Sequence, residues 1–126
     1  MPVPEWVRTL NFIDAQTKAD LLAASDVLVL PSTNESLSLV LMEAWQVGCP
    51  TLATAHSDVL SGQSARSGGG LVYRDDADYA RQLRQLGDDA ELRATLSTAG
   101  TAWAERETWS NALDRWERLI DQVIRD

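Results

Sequence analysis

The chain has 126 residues, 44% of them apolar, with 11 Lys plus Arg against 19 Asp plus Glu and a formal charge of −8. This length predicts one domain that buries roughly two thirds of the surface its unfolded chain exposes, which argues against intrinsic disorder. The acidic balance argues against nucleic acid as a partner, and a single cysteine, Cys49, excludes an internal disulfide framework and a cysteine-based zinc site.

Met1-Pro2-Val3-Pro4 has neither a basic start nor an apolar core, so no signal peptide is read there. No apolar run approaches the ~20 residues that cross a bilayer, and a reducing, cytoplasmic setting fits. Val7–Ile13 reads as a first strand ended by Asp14, and Thr17–Ala24 as a short helix. Asp26–Leu30 is a near-continuous apolar run bounded by Pro31, the pattern of a strand buried on both faces. A helix runs from about Ser38 to Val47, stopped by Gly48 with Pro50 shortly after. Thr51–Thr54 and Leu71–Arg74 read as two further strands, with turns at His56-Ser57-Asp58 and Ser67–Gly70.

The last third reads as helical. Tyr79, Leu83 and Leu86 fall at i, i+4 and i+7 up to Gly87. Asp88 with Glu91 resembles a capping box, opening a helix with Leu92, Leu96, Ala99 and Trp103 on one face. Ser110 is the expected cap of a final helix with an apolar stripe of Leu113, Trp116, Ile120, Val123 and Ile124, after a bend at Arg106–Trp109. Trp45, Trp103 and Trp116 read as core or interface residues rather than sugar platforms, and Cys49 as buried. The alternation predicts an α/β fold with a parallel sheet of about four strands and a helical C-terminal third.

The densest chemistry lies in Pro31–Ala44, where a buried strand ends, a polar loop follows and a helix begins around Ser36 to Ser38. Helix N-termini present unpaired N–H groups that suit a phosphate or diphosphate. In open α/β sheets the carboxyl end of a strand is also where ligands bind. Glu35 stands at the helix mouth and Glu43 eight residues on, ~12 Å along the axis if most of the interval is helical. That span suits a nucleotide sugar, because carboxylates accept hydrogen bonds from sugar hydroxyls while the amides between them hold phosphates. The plainer alternative makes Glu35 a loop acid and Glu43 a solvated helix residue. His56, Ser57 and Asp58 are sequence neighbours, which makes a turn the better reading than a catalytic triad. His56 has no second histidine to share a metal, and neither a metal site nor a cofactor is expected. Arg66 and Ser67–Gly70 are candidates for a phosphate contact, with a solvated arginine and a simple turn as the alternatives.

The order and spacing of several stretches resembles one family. They are Leu21–Ser32, the Glu-x7-Glu pair Glu35 and Glu43 with Ala44 after it, Gly48–Thr54 and Gly70-Leu71-Val72. Together they are similar to the C-terminal half of retaining, nucleotide-sugar-dependent glycosyltransferases of the GT-B fold, the group 1 family. Asp88–Arg93 and Thr108-Trp109-Ser110 are similar too. The resemblance implies a partial Rossmann-like domain over residues 1–126. It would be the donor-binding portion of an enzyme that moves a sugar from a nucleoside diphosphate to an acceptor hydroxyl. Glu35 would contact donor-sugar hydroxyls near the anomeric carbon, and Glu43 the ribose. Ser36, Leu37, Ser38, Leu39 and Val40 would surround the sugar and diphosphate, mainly through main-chain groups.

Departures from the family pattern qualify this. Leu37-Ser38 stands where Phe-Gly is usual, and Ser38 limits how closely a phosphate approaches the backbone. His56-Ser57-Asp58 replaces a Gly-Gly turn. Two βα units carrying the cations for the diphosphate, and the acceptor domain, have no match in this chain. The isolated chain is therefore expected to be inactive. The alternative is a non-catalytic α/β interaction module that keeps the fold without the donor. In the family's sheet order Val7–Ile13 corresponds to a far-edge strand, so the Val27–Leu30 strand loses its neighbour and keeps an open apolar edge. Either Val7–Ile13 slides into the gap in a monomer or two chains pair. The homodimer is favoured, because apolar helix faces are uncovered as well.

Overall fold

A computed structural model of the chain describes residues 2–125; Met1, where the leader reading begins, and Asp126 lie outside them. Asp14 opens α1 (Ala15–Ala23), its carboxylate accepting from Thr17 N at 2.8 Å. Strands β1 (Leu28–Leu30), β2 (Thr51–Thr54) and β3 (Gly70–Tyr73) then alternate with α2 (Leu39–Gln46) and α3 (Asp58–Ser67). The chain finishes in α4 (Asp76–Asp88), α5 (Ala90–Arg106) and α6 (Trp109–Arg125). All strand pairs are parallel in the order β1-β2-β3, with Leu28 and Gly70 both opposite Thr51. The fold is α/β with a helical C-terminal third, as the alternation predicts, but the sheet has three strands rather than four.

The missing strand is Val7–Ile13. Val7, Leu10, Phe12 and Ile13 are exposed, and the segment pairs with neither edge of the sheet. The slide into the gap beside β1 therefore does not occur; without a neighbour to bond, an extended run has nothing to offset its lost backbone freedom. Consequently β1 is half-buried, not covered on both faces as its sequence suggests. By contrast, β2 lies between two strands and is buried at all four positions.

Other differences are local. The sequence reads turns where α3 lies, because its buried positions include Gln63, Ser64 and Ser67 beside Leu60 and show no apolar period. Asp89, one residue past the expected cap, accepts from Leu92 N at 2.8 Å, and α4 runs through Gly87. Thr108 rather than Ser110 caps α6, accepting from Asn111 N at 3.2 Å. Gly48 ends α2 in the left-handed region at φ 76°, as its place in the sequence predicts.

The core is organised on Trp45, which is fully buried. Its Nε1 donates to Gly69 O at 3.0 Å, and Thr101 Oγ1 donates to the Trp45 carbonyl at 3.0 Å. Two glycines flank the indole. A Cβ on Gly69 would stand 2.5 Å from Trp45 Nε1, and one on Gly100 2.7 Å from Trp45 Cδ1. Their bare backbones are what let α2, α5 and the turn into β3 close on one another. Leu41, Ala53, Leu60 and Ala104 fill the same cluster. Leu52, Leu86 and Leu96 pack on the opposite face, as the alternation along β2 requires. Cys49 is buried as expected, and that burial pushes its thiol pKa up.

The two sheet edges differ. At β3, Gln82 Nε2 donates to Val72 O at 2.7 Å and Asp78 Oδ2 accepts from Arg74 N at 3.0 Å. His56 Nε2 donates to Arg74 O at 2.8 Å. The bonds from Gln82 and Arg74 hold the Asp78 carboxyl below the usual carboxylate range. Among the described residues no strand lies beside the outer edge of β1.

Helix α6 buries none of its residues, and the stripe expected to be packed, Trp116 included, is exposed. A two-point pair ties the helix back to the end of α5, with Arg115 Nη2 to Glu107 Oε2 at 2.7 Å and Nη1 to Oε1 at 3.3 Å. Arg115 thereby draws the Glu107 carboxyl below its ordinary range.

The packing on Trp45 predicts opposite outcomes at two glycines. Gly69→Ala should lower stability by about 1–3 kcal/mol through overpacking. Gly87→Ala, where a Cβ meets nothing within 4 Å inside α4, should raise it by up to about 1 kcal/mol. Urea denaturation midpoints of the two variants check this.

Candidate functional site

The sequence-predicted residues converge on the opening of α2. The chain leaves β1 at Leu30 and runs through an irregular loop over residues 31–38 that carries half-exposed Glu35 and exposed Ser36 and Leu37. It enters the helix at Leu39. Ser38 holds the cap position in extended geometry (φ −85°, ψ 94°) and is 2% exposed. Leu39 is exposed and Val40 half-buried in the first turn, and Glu43 is the fifth helical residue. Only the second half of the Glu35–Glu43 interval is helical, so the condition behind the 12 Å estimate is not met.

The mouth of α2 differs from the other helix starts. Asp14, Ser57, Asp75, Asp89 and Thr108 each accept from a first-turn N–H of α1, α3, α4, α5 and α6. At α2 the Ser38 side chain makes no such bond, and the first turn holds no acidic residue. Ser38 Oγ is buried without a hydrogen-bond partner, while Ser38 N donates to Gln63 Oε1 at 3.4 Å. The first-turn N–H groups and the positive end of the helix dipole thus have no side-chain acceptor at the cap, the arrangement that receives an anion.

Two residues join this site that sequence reasoning did not single out. Gln63 comes from α3, whose start and stop signals, Ser57 and Gly68, bracket it in the sequence. Lys18 comes from α1, and its Nζ donates to Glu43 Oε1 at 2.7 Å. Nothing in the local sequence announces that pair, since its members lie 25 residues apart.

The remaining candidates fall elsewhere. Arg66 belongs to the last turn of α3, not to a loop, and its guanidinium lies back along that helix near Gly62. Ser67 Oγ accepts from Gly69 N at 3.0 Å, and Gly69 faces the indole of Trp45, so this turn serves packing. His56, Ser57 and Asp58 diverge into the β3 edge, the α3 cap and the first turn of α3. A cavity of about 420 Å³ between α3, β3 and α4, lined by Ser61, Ser64, Val72, Arg81 and Gln82, shares no residue with the α2 mouth. No group of three or more His, Cys, Asp or Glu side chains that could hold a metal ion occurs among the described residues.

The family model for group 1 glycosyl transferases matches residues 3–103. The chain is 39% identical over 111 residues to the D-inositol 3-phosphate glycosyltransferase of Streptomyces avermitilis, covering 87% of this chain and 24% of the relative. It is 36% identical over 125 residues to that of Streptomyces scabiei, covering 98% and 28%. Against that of Corynebacterium aurimucosum it is 32% identical over 121 residues, covering 93% and 29%. The chain spans about a quarter of the length of these curated relatives. Among solved structures, sucrose-phosphate synthase from Thermosynechococcus elongatus matches in fold with a TM-score of 0.77 at 24% identity, over 91% of this chain and 29% of that one. No helix among the described residues is long and apolar enough to cross a membrane.

The contrast in capping is directly measurable. Ser57→Ala, which removes the acceptor for Leu60 N, should cost about 1 kcal/mol. Ser38→Gly should stay within about 0.5 kcal/mol of the parent, because its hydroxyl makes no bond and glycine is tolerated at a cap. Chemical denaturation of both variants supplies the comparison.

Proposed function

We propose, from the premise that this chain belongs to the group 1 glycosyl transferases, that it is the donor-binding portion of a retaining glycosyltransferase of the GT-B fold. The uncapped mouth of α2, alone among six helices, carries this reading. In the reaction the bond from the anomeric carbon to the diphosphate breaks, a bond to an acceptor hydroxyl oxygen forms, and the hydroxyl's proton goes to the departing diphosphate. Negative charge grows on the departing diphosphate, and fixed N–H dipoles at Leu37, Leu39 and Val40 stabilise it without reorganising. Glu35, in the loop before the helix, takes the donor-sugar hydroxyls, and Glu43 the ribose. Exposed Ser36 lines the approach, while Ser38, whose side chain is buried, contributes through its place at the helix start. A cytoplasmic location, where nucleotide sugars are supplied and Cys49 stays reduced, belongs to the same proposal.

Transfer needs more than this site. The chain spans about a quarter of its curated relatives. The only lysine, Lys18, is engaged by Glu43, and Arg66 lies along α3. The upstream half of the domain and an acceptor domain would supply the missing cations and the acceptor in the parent enzyme. Titration with UDP, GDP and their sugars should show binding that Glu43→Ala abolishes. Turnover should be negligible, with D-inositol 3-phosphate, the acceptor in the relatives' names, included in the panel. Enzyme-like turnover would refute inactivity of the isolated chain. Absence of binding at millimolar nucleotide would favour the non-catalytic interaction module.

The same proposal covers assembly. The open edge of β1 and the exposed stripe of α6 are faces that more of a domain would cover. In the isolated chain a second copy takes that place. Sedimentation at micromolar concentration should show a dimer, and a 13.9 kDa species with no concentration dependence would refute it.

A further inference from the structure

We infer that Lys18 is a positioning residue for nucleotide binding, holding the Glu43 carboxylate in the orientation that meets the ribose hydroxyls. The inference rests on the donor-binding reading above and adds a residue to it. Leu22, four residues after Lys18, lies on the same face of α1 and packs with Ala44 of α2 and Cys49. That buried contact sets the register of the two helices, and one turn earlier it brings Lys18 level with Glu43. Asp14 fixes the start of α1 by accepting from both the N and the Oγ1 of Thr17.

The geometry leaves the carboxylate half engaged. Lys18 Nζ occupies Oε1 at 2.7 Å, and Oε2 accepts no hydrogen bond from the described residues. Both side chains remain well exposed, at 41% and 38%. An ionised carboxylate has about four lone-pair sites, so vicinal hydroxyls can be accepted while the ammonium keeps its place. A free glutamate would lose rotamer freedom on gripping a ribose; here the ion pair has already restricted it. As an exposed pair it contributes little to folding stability, so its removal can be read in binding without unfolding the chain.

The test compares the parent, Lys18→Met, Lys18→Arg and Glu43→Ala chains. Each is titrated by heteronuclear NMR with UDP and GDP and with their 2′,3′-dideoxy counterparts. Lys18→Met should weaken the ribonucleotide about five- to tenfold, a factor of ten being about 1.4 kcal/mol. It should leave the dideoxy analogue unchanged, with an unaltered melting curve, and Lys18→Arg should restore binding to within about twofold of the parent. Three results would overturn the inference while sparing the ribose reading. Ribonucleotide affinity could stay unchanged in Lys18→Met while Glu43→Ala weakens it. Affinity could rise, showing that Lys18 competes for the carboxylate. Ribonucleotide and dideoxy analogue could lose affinity equally, showing that Lys18 acts on the diphosphate as a charge. Failure of the parent to bind either nucleotide, or indifference to Glu43→Ala, would overturn the ribose reading and this inference with it.

Discussion

The contact between the Trp45 indole and the two bare backbones at Gly69 and Gly100 governs the arrangement of everything else. It joins three segments distant in sequence: α2, the turn into β3 and the middle of α5. Because the indole N–H is satisfied by Gly69 O and the ring is sealed by glycines, α2 has little freedom to roll about its axis. Glu43 lies two residues before Trp45, and the helix mouth one to two turns before it. The orientation of the polar site is therefore inherited from an apolar lock at the other end of the same eight-residue helix.

That helix is also where the fold departs from its own habits. Elsewhere each helix start is satisfied by its own side chain, an arrangement worth about 1 kcal/mol apiece. At α2 the cap residue is present, yet its hydroxyl is buried and unpaired. Local rules are broken most often where binding requires it, and here the rule is broken at the end of a strand, next to both acidic candidates. Its protein neighbour Gln63 bonds the backbone of Ser38 and leaves the hydroxyl alone.

How much of this was legible depended on whether burial was apolar. β2 is legible at its true limits because Thr51–Thr54 is a short run with β-branched ends that stops at a turn, and α2 because Gly48 and Pro50 mark its end. α3 has no apolar signature, because Gln63, Ser64 and Ser67 occupy its inner face and are satisfied partly through local bonds. Val7–Ile13 has the composition of a strand but no partner, and composition alone cannot supply one. The Glu35-to-Glu43 segment was legible as a strand end, loop and helix start, whereas the Lys18–Glu43 pair arises from the docking of α1 on α2 and has no local signature.

The side chains on the outer edge of β3 give the sheet a direction of growth. Gln82, Asp78 and His56 occupy main-chain groups that a further strand would need. Nothing equivalent guards β1, so the sheet is finished on one side and extensible on the other. A filament needs two compatible edges per subunit, one to give and one to receive, and this chain has one. Pairing of β1 with β1 of another copy would consume the one open edge that the described residues leave on each. Any edge-to-edge association of the described sheet would therefore stop at two subunits instead of propagating as a fibre.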